Sequence, residues 1–521
     1  MWKLVLLISA LLFVAACGER QDQSQLQVVN HSPAVEATAT PDATVSMAFS
    51  EPINSATVDS SSFRLSNQGG AVSGTLQING SNITFTPNKP LSLFCKYTAT
   101  VSPTVYGVYG HMLAQSYQWS FTTRDGLWDM FEPPRGSESN TSQAAIDDNG
   151  RVMLAWSTTA GTYASFLVNG AWAAPVLLGE GGYLYSVVAA NDSYAVFWQV
   201  NNGNTIKMYC ARFVDGAWQP AETFATMDAV SFNAISTIFS DNSLFVIYMF
   251  NGGADGAQAY SRRFIPNRGW QPPVALAEQN AWFVGGFHRS GKAVIAWANR
   301  GNALNTGYAQ SYDVNSGWSA PVAIGEYAYL TAHSAAVNSS GKSMVAFSTM
   351  NDIRIASTTP GAGWTPLVPV YQKQAGDLYA FYTIPQIAMD DLGNAMLVTS
   401  ETSASSHRHL AIRYDSNNGW QQPVDISGGR RTDLLLHNSL QVDESGNYLL
   451  VWYGYDTSGG SEHIYSSRYQ NGIGWSSPTY LCRQDVDAAF AKVSMNSRGE
   501  AVAVWLYFYP SVMGLGVGLF H

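Results

Sequence analysis

Aromatic and acidic side chains occur together in several short segments of the chain, and this combination suits the binding of sugars or peptides. Aromatic faces stack on sugar rings and apolar side chains, while carboxylates accept hydrogen bonds from hydroxyl groups. The candidate ligand-binding residues are the aromatics Tyr183, Tyr185, Trp282, Phe283, Tyr327, Tyr329, Tyr379 and Phe381, and the acids Glu180, Glu278 and Glu326. The alternative interpretation is that these aromatic rings fill the interior of the fold.

Motifs of catalysis or cofactor binding do not occur in the sequence. There is no Gly-rich phosphate loop, HExxH, CxxC or GxSxG segment. We therefore assign no catalytic residue, no cofactor and no metal. The two histidine pairs that could suggest a metal, His407 with His409 and His333 with His437, are interpreted as non-ligating. A glycosidase would need two carboxylates roughly 5 to 10 Å apart, which sequence spacing alone does not establish.

The candidate residues stand between the copies of an internal repeat. Its marker is a tryptophan that recurs every 44 to 56 residues, at Trp128, Trp172, Trp218, Trp270, Trp318, Trp364, Trp420 and Trp475. This period is the length of one four-stranded blade of a β-propeller. On this basis the candidate residues belong to the connections that open on one face of the ring, around the mouth of the central channel.

A second element of the repeat is an Asp/Asn-x-x-Gly turn midway between tryptophans. Its glycine precedes a large residue by six positions, as in Gly150 and Trp156 or Gly446 and Trp452. Two degenerate copies bring the total to eight blades, with seven as the alternative. The first unit, around Trp128, has no strands before it, and the last repeat has no tryptophan unit after it. The ring is expected to comprise residues 126–521. We expect its N-terminal strand to complete the last blade, which removes an exposed sheet edge.

The turn superficially resembles the Asp-box of sialidases, Ser-x-Asp-x-Gly-x-x-Trp, although the interval from Gly to Trp differs. Sialidases also need three arginines that converge on a substrate carboxylate. The obvious candidates directly precede the repeated Phe or Tyr: Arg212, Arg263, Arg413 and Arg468. Equivalent positions on successive blades point outward around the ring, so we interpret these arginines as structural.

The first residues have the features of an export signal. Residues 1–17 contain one lysine, an apolar stretch too short to span a membrane, and the sequence Val14-Ala15-Ala16-Cys17. This ending resembles the lipobox of bacterial lipoproteins, which implies lipidation of Cys17 and a membrane anchor of acyl chains. By the same resemblance, Gly18 favours the outer membrane. An ordinary secretory signal is the alternative, and the polar residues 18–27 are expected to form a tether.

The segment 28–124 has a different pattern, with alternating strands separated by Pro, Asn and Gly turns. Its most informative stretches are VSMAFSEPIN, NITFTPNKPL and YQWSFTT. They resemble the SbsA-type bacterial Ig-like domain, which implies a β-sandwich of about seven strands. Such domains usually serve as spacers or adhesive modules, so the resemblance assigns no chemistry.

Composition limits the classes of partner. The net charge is −10 and only 27 of 521 residues are Lys or Arg, which argues against a nucleic-acid partner. Charged residues make up 12% and aromatics 13%, as in strand-rich extracytoplasmic proteins. Three cysteines remain beside Cys17, and we expect no structural disulfide among them.

The sequence thus predicts an all-β protein, an Ig-like sandwich followed by a β-propeller, in the bacterial cell envelope. The leading functional hypothesis is non-catalytic recognition of a glycan or an envelope protein at one face of the ring. The first alternative is a polysaccharide-active enzyme with acids at the channel mouth. The second is a structural subunit of an envelope assembly.

Overall fold

The computed structural model describes residues 25–137, 141–228, 231–251, 257–276, 283–299, 303–373, 384–402, 407–430, 439–455, 461–509 and 513–521. The chain divides into two compact units. The first contains Met1–Lys89 and Lys96–Thr122, and the second contains Pro90–Cys95 and Thr123–His521. In the described residues no helix is long and apolar enough to cross a bilayer. The prediction of an all-β protein is confirmed.

The first unit is a sandwich of two antiparallel sheets, with strand orders β1-β3-β7-β6 and β2-β9-β8-β4-β5. Seven strands have five or more residues, and a short 3-10 helix spans Ser55–Thr57. The strands are β1 (Val28–Ser32), β2 (Thr38–Ala39), β3 (Val45–Phe49), β4 (Phe63–Asn67), β5 (Gly70–Ala71), β6 (Gly74–Asn79), β7 (Asn82–Pro87), β8 (Lys96–Val101) and β9 (Tyr117–Thr123). Alternate residues of these strands point inward, and Phe63 of one sheet packs on Phe85 of the other with ring centroids 6.0 Å apart.

The second unit contains eight antiparallel sheets, seven of them formed by consecutive strands. We number them sheet 1 to sheet 8. The inner strand is the first strand of each of sheets 1 to 7, and in sheet 8 it is the strand Asp487–Met495. Sheets 1 to 4 are β11 (Gln143–Ile146), β12 (Val152–Thr158), β13 (Gly161–Val168), β14 (Ala171–Trp172) and β15 (Val176–Gly179); β16 (Tyr183–Ala190), β17 (Ser193–Asn202), β18 (Thr205–Val214), β19 (Ala217–Trp218) and β20 (Glu222–Asp228); β21 (Ser231–Ile238), β22 (Leu244–Asn251), β23 (Ala257–Ile265), β24 (Gly269–Trp270) and β25 (Val274–Ala275); β26 (Phe283–His288), β27 (Lys292–Asn299), β28 (Asn305–Asp313), β29 (Gly317–Trp318) and β30 (Val322–Tyr327).

The remaining sheets follow the same order. They are β31 (Thr331–Val337), β32 (Ser343–Ser348), β33 (Asp352–Thr358) and β34 (Val368–Gln372) in sheet 5; β35 (Gln386–Met389), β36 (Ala395–Thr402), β37 (His407–Asp415), β38 (Gly419–Trp420) and β39 (Val424–Asp425) in sheet 6; β40 (Leu440–Val442), β41 (Tyr448–Tyr455), β42 (Glu462–Gln470), β43 (Gly474–Trp475) and β44 (Thr479–Tyr480) in sheet 7; β45 (Asp487–Met495), β46 (Ala501–Phe508), β47 (Met513–Phe520) and β10 (Trp128–Phe131) in sheet 8.

The sheets pack face to face around a ring. Each pair of neighbouring sheets shares one cluster of buried apolar side chains. A further cluster, with Ile146 and Trp156 on one side and Val504 and Leu515 on the other, joins sheet 8 to sheet 1. This succession of antiparallel sheets, each packed on the next, is the architecture of a β-propeller.

The N-terminal strand of the ring closes it, as the sequence predicts. Residues Trp128–Phe131 pair with the last strand, from Trp128 opposite Phe520 to Phe131 opposite Val517. The Trp128 indole N–H also donates to the Ser466 hydroxyl in sheet 7, with a donor-acceptor distance of 3.0 Å. The edge that sheet 8 would otherwise expose is therefore paired.

The repeated turn is built as the sequence predicts. Asp147 Oδ1 accepts hydrogen bonds from the backbone N–H groups of Asn149 and Arg151, each at 2.9 Å. Gly150 has a φ of 81°, in the left-handed region where glycine is favoured. The second strand begins directly after this turn and ends in the repeated aromatic.

The repeated tryptophan begins the outermost strand, which in most sheets is split into two short pieces, such as β14 and β15. Pro175 stands between these two pieces, where its missing N–H interrupts the edge ladder. The indole packs toward the preceding sheet. In sheet 4, for example, the Trp318 N–H donates to the Ser261 hydroxyl of sheet 3 at 2.8 Å.

Candidate functional site

Two kinds of connection open on the same face of the ring, which we call the loop face. One kind leads from the outermost strand to the next inner strand, and the other joins the second and third strands. The Asp/Asn-x-x-Gly turns lie at the opposite ends of the strands. Of the candidate residues, Trp282, Tyr379, Phe381 and Glu278 lie outside the described residues, as does Cys17.

The connection into sheet 2 exposes one of its two tyrosines. Tyr183 is 47% exposed at the start of β16, and its ring lies 4.9 Å from that of Tyr185. Tyr185 is half-buried, and its hydroxyl donates to Gln199 Oε1 at 2.7 Å. Burial raises the pKa of the Tyr185 phenol. Glu180 is exposed, and its backbone carbonyl accepts from the Thr162 hydroxyl at 2.9 Å.

The two tyrosines at the connection into sheet 5 also differ, because Tyr327 is packed and Tyr329 is exposed. The Tyr327 hydroxyl accepts from Arg354 Nη1 at 3.0 Å, and the guanidinium carbon of Arg354 lies 4.1 Å from the ring centroid. Tyr327 therefore serves mainly to pack sheet 5. Tyr329 is 62% exposed and has a φ of 57°. Glu326 is exposed and accepts from the Thr306 hydroxyl at 3.2 Å.

Phe283 requires a correction. Its side chain is 3% exposed and belongs to the cluster that joins sheets 3 and 4, where its neighbours include Trp297 and Leu276. The inner strand begins at Phe283 itself, so the ring points into the interface between sheets instead of toward solvent. This aromatic belongs to the core.

The structure adds Phe490 to the exposed aromatics of the loop face. It lies near the start of β45, is 50% exposed and has a φ of 59°. Its ring centroid is 6.0 Å from that of Phe508 and 6.4 Å from that of Tyr453. The sequence carries one signal for it, since the aromatic does not belong to the repeat.

Three inner strands contain a register shift near the loop face, in sheets 2, 5 and 8. The shifts fall at Leu184/Ser186, Ala332/Ser334 and Ala489/Lys492. A β-bulge bends its strand and redirects a side chain. The residues within the shifts include Tyr185, His333 and Phe490, so chemically active or aromatic groups occupy each of these positions.

Burial shifts the pKa of two basic groups on this side of the ring, Lys492 and His409. Burial lowers the pKa of the Lys492 ammonium group, which follows the third bulge. His333 Nε2 shares a hydrogen bond with the Ser348 hydroxyl at 2.6 Å. His409 is fully buried, and burial lowers its pKa to about 3, so its imidazole is neutral. Over the described ranges, no group of three His, Cys, Asp or Glu side chains is arranged to hold a metal ion.

The four repeated arginines each pair with a carboxylate of their own sheet. The nitrogen-oxygen distances are 2.8 Å from Arg212 to Glu222, 3.1 Å from Arg413 to Asp415 and 3.0 Å from Arg468 to Asp443. Arg263 pairs with Asp241. These contacts support the interpretation that the arginines are structural.

Comparison with known proteins supports the first unit most directly. Residues 22–123 match the family model of the bacterial Ig-like domain, in agreement with the sandwich. No curated protein matches the chain.

Several solved structures are distantly similar. A lectin of Aleuria aurantia in complex with Fucα1-6GlcNAc is 12% identical, with 56% of this chain and 96% of the lectin covered and a TM-score of 0.32. A polysaccharide lyase, an ulvan lyase, is 11% identical over 75% of this chain and 93% of its own, with a TM-score of 0.40. Puromycin hydrolase is 9% identical over 72% of this chain and 60% of its own, with a TM-score of 0.40. Similarity at this level carries no information on what this chain binds.

Proposed function

We propose that this protein recognises a glycan at the loop face of its ring, without catalysis. The observation that carries the proposal is the placement of Tyr329 and Phe490. Both are large, exposed aromatics, and both have a left-handed backbone conformation. They lie at the entrances to the inner strands of sheets 5 and 8.

A left-handed conformation is unfavourable for a bulky side chain and costs about 1 to 3 kcal/mol. Both side chains remain half or more exposed in spite of this cost, so we attribute the conformation to a role in binding. Exposed aromatic faces of this kind stack on the apolar faces of sugar rings. Tyr183, at the entrance to sheet 2, extends the same set.

The separation of the two candidate acids favours a binder over a hydrolase. Glu180 precedes sheet 2 and Glu326 lies near the start of the connection into sheet 5, so sheets 2, 3 and 4 lie between them along the ring. Hydrolysis of a glycosidic bond needs two carboxylates within about 10 Å across one sugar. The two acids are better suited to accept hydrogen bonds from sugar hydroxyls.

We also propose that the protein acts in the bacterial cell envelope, held to the outer membrane by lipid on Cys17. The support is the lipobox-like sequence that ends at this cysteine. Labelled palmitate should be incorporated by the wild-type chain and not by Cys17→Ser. If the Cys17→Ser variant still fractionates with the membrane, the proposed lipid anchor is contradicted.

The glycan proposal is tested with the full-length Cys17→Ser protein on a glycan array. Phe490→Gly should weaken binding to any hit by about 10-fold and leave the melting temperature unchanged or higher, because glycine relieves the backbone strain. Tyr109→Ala is the matched control, since Tyr109 is 74% exposed on the first unit. Release of reducing ends from a hit would refute the non-catalytic part, and hits unaffected by Phe490→Gly would refute the site.

A further inference from the structure

A groove of about 420 Å³ lies between sheets 2 and 3, and none of the loop-face candidate residues lines it. One wall is the long outer strand of sheet 2, from Thr223 to Met227. The other wall consists of aromatic and basic side chains on the middle strands of sheet 3. A volume of this size accommodates a sugar or a small oligosaccharide.

The repeat is altered at the groove, as it also is in sheets 5 and 6, where Phe347 and Thr399 occupy the equivalent position. The second strand of most sheets ends in a tryptophan that packs on the preceding sheet, as Trp198 and Trp297 do. In sheet 3 the equivalent residue is Tyr248, whose ring stacks on Tyr260 at 5.8 Å. A phenol occupies less of the gap than an indole, so the space beside it remains open.

Aromatic rings line the groove. Phe250 stacks on Tyr260 with centroids 5.5 Å apart and an interplanar angle of 4°. Both residues are half-buried. At the base, Phe224 of sheet 2 stacks on Trp270 of sheet 3 at 5.1 Å. Such a surface favours the apolar face of a pyranose ring, and the exposed residue Thr226 also lines the groove.

Arg262 supplies the charge of the groove. Its Nε donates to the carbonyl of Gln271 at 2.7 Å, and its Nη1 donates to the carbonyl of Phe224. The neighbouring Arg263 pairs with Asp241. Arg262 differs, because no carboxylate of the described residues lies within salt-bridge distance of it, and none lines the groove.

The Arg262 guanidinium also lies 5.7 Å from the centroid of the Trp270 ring. Carbonyl groups and an aromatic face stabilise a cation without neutralising its charge. Charge-assisted hydrogen bonds to a carboxylate or sulfate are the strongest contacts open to such a group. The carbonyl contacts also fix the orientation of the Arg262 side chain, so less conformational entropy is lost when a ligand binds. The Glu222 carboxylate nearby is already engaged by Arg212 at 2.8 Å.

We propose that this groove is a second carbohydrate site, lined by residues other than the loop-face candidates, and that it binds an acidic sugar through Arg262. The acidic group is a carboxylate or a sulfate ester, and the sugar ring lies against Tyr260 and Phe250. The net charge of −10 disfavours long polyanions. The ligand is therefore a short or terminal acidic unit.

The test uses the full-length Cys17→Ser protein and calorimetric titration with two matched pairs of probes. Trigalacturonate is compared with its carboxyl-reduced trimer, and lactose 3′-sulfate with lactose. The acidic member of at least one pair should bind at least about 10-fold more tightly than its neutral partner. Arg262→Gln should remove this preference, while Arg268→Gln, which removes an exposed charge from the same sheet, should preserve it.

A second variant tests the groove independently of Arg262→Gln, which could lose binding by misfolding. Thr226→Trp should fill the groove from the wall of sheet 2 and abolish binding of the acidic probe while Arg262 stays in place. Equal binding of acidic and neutral probes would overturn the proposal, and so would binding of neither or an unaffected Thr226→Trp variant. None of these results bears on the loop face, which is tested separately by Phe490→Gly.

Discussion

Removal of the Trp128 side chain should open the ring at its seam. The indole packs on Phe520, with ring centroids 5.3 Å apart, and its N–H donates to Ser466 at 3.0 Å. Burial of roughly 150 Å² at about 25 cal/mol per Å² contributes close to 4 kcal/mol, and the hydrogen bond adds about 1 kcal/mol. Trp128→Ala should therefore lower the free energy of unfolding by about 4 to 5 kcal/mol.

Trp318→Ala is the matched control. This tryptophan makes the equivalent hydrogen bond, to Ser261 at 2.8 Å, and packs in the equivalent cluster between sheets 3 and 4. Its strand, β29, follows β28 through a tight turn, so the chain itself holds the strand near its partner. In contrast, β10 and β47 are held together only by non-covalent contacts.

The assay is hydrogen exchange followed by mass spectrometry, together with thermal unfolding. Both variants should melt roughly 10 °C below the wild type. Only Trp128→Ala should lose protection in the segments 128–131 and 513–520, because only there does local separation of strands follow. The same protection in both variants would refute the reasoning, since closure would then not depend on this contact.

Three further predictions concern single side chains. Burial raises the pKa of Asp390 in the folded protein, so this carboxyl stabilises the fold below its unfolded pKa of about 3.8 and loses that contribution as the pH rises through the higher folded value. Asp390→Asn should therefore flatten the decline of melting temperature with rising pH in this window. A decline as steep as that of the wild type would contradict the prediction. Asp443→Asn should instead cost about 3 kcal/mol in chemical denaturation, because the buried guanidinium of Arg468 then keeps only the more distant carboxylate of Asp125, at 3.5 Å. A loss below about 1 kcal/mol would contradict the importance of the pairing with Asp443. Gly516→Ala should destabilise the protein by about 3 kcal/mol, since its Cβ would lie 2.2 Å from the buried Trp505 indole, whereas Gly363→Ala, which meets nothing within 4 Å, should be neutral in the same assay.

The sequence predicts the architecture well because the same signals for strands and turns recur in each repeat. Tryptophan spacing indicates the sheets, and the Asp/Asn-x-x-Gly turn indicates where the first two strands meet. The displaced unit around Trp128 indicates the closure. Each of these signals depends on local chemistry, such as glycine in a left-handed turn or an indole at a strand edge.

The candidate site was less accessible to prediction, because it depends on how neighbouring connections pack. Phe283 and Tyr329 both precede or begin inner strands, yet the first is buried between sheets and the second is exposed. Phe490 owes its exposure to a register shift that no spacing rule reveals. The groove at Tyr248 also has a visible sequence signal, a missing tryptophan, but its meaning depends on the opposing strand of sheet 2.

The pairing of Trp128–Phe131 with Met513–Phe520 has a consequence for how the chain folds. The two strands are separated by almost the whole of the second unit, which gives this contact one of the highest contact orders in the molecule. Contacts between such distant segments form late, because the loop between them must first be ordered. A nascent chain therefore carries two unpaired strand edges, one at each end of the growing ring, until its last strand has been synthesised. During that interval it is most exposed to intermolecular strand pairing, and dependence on a chaperone should be greatest there.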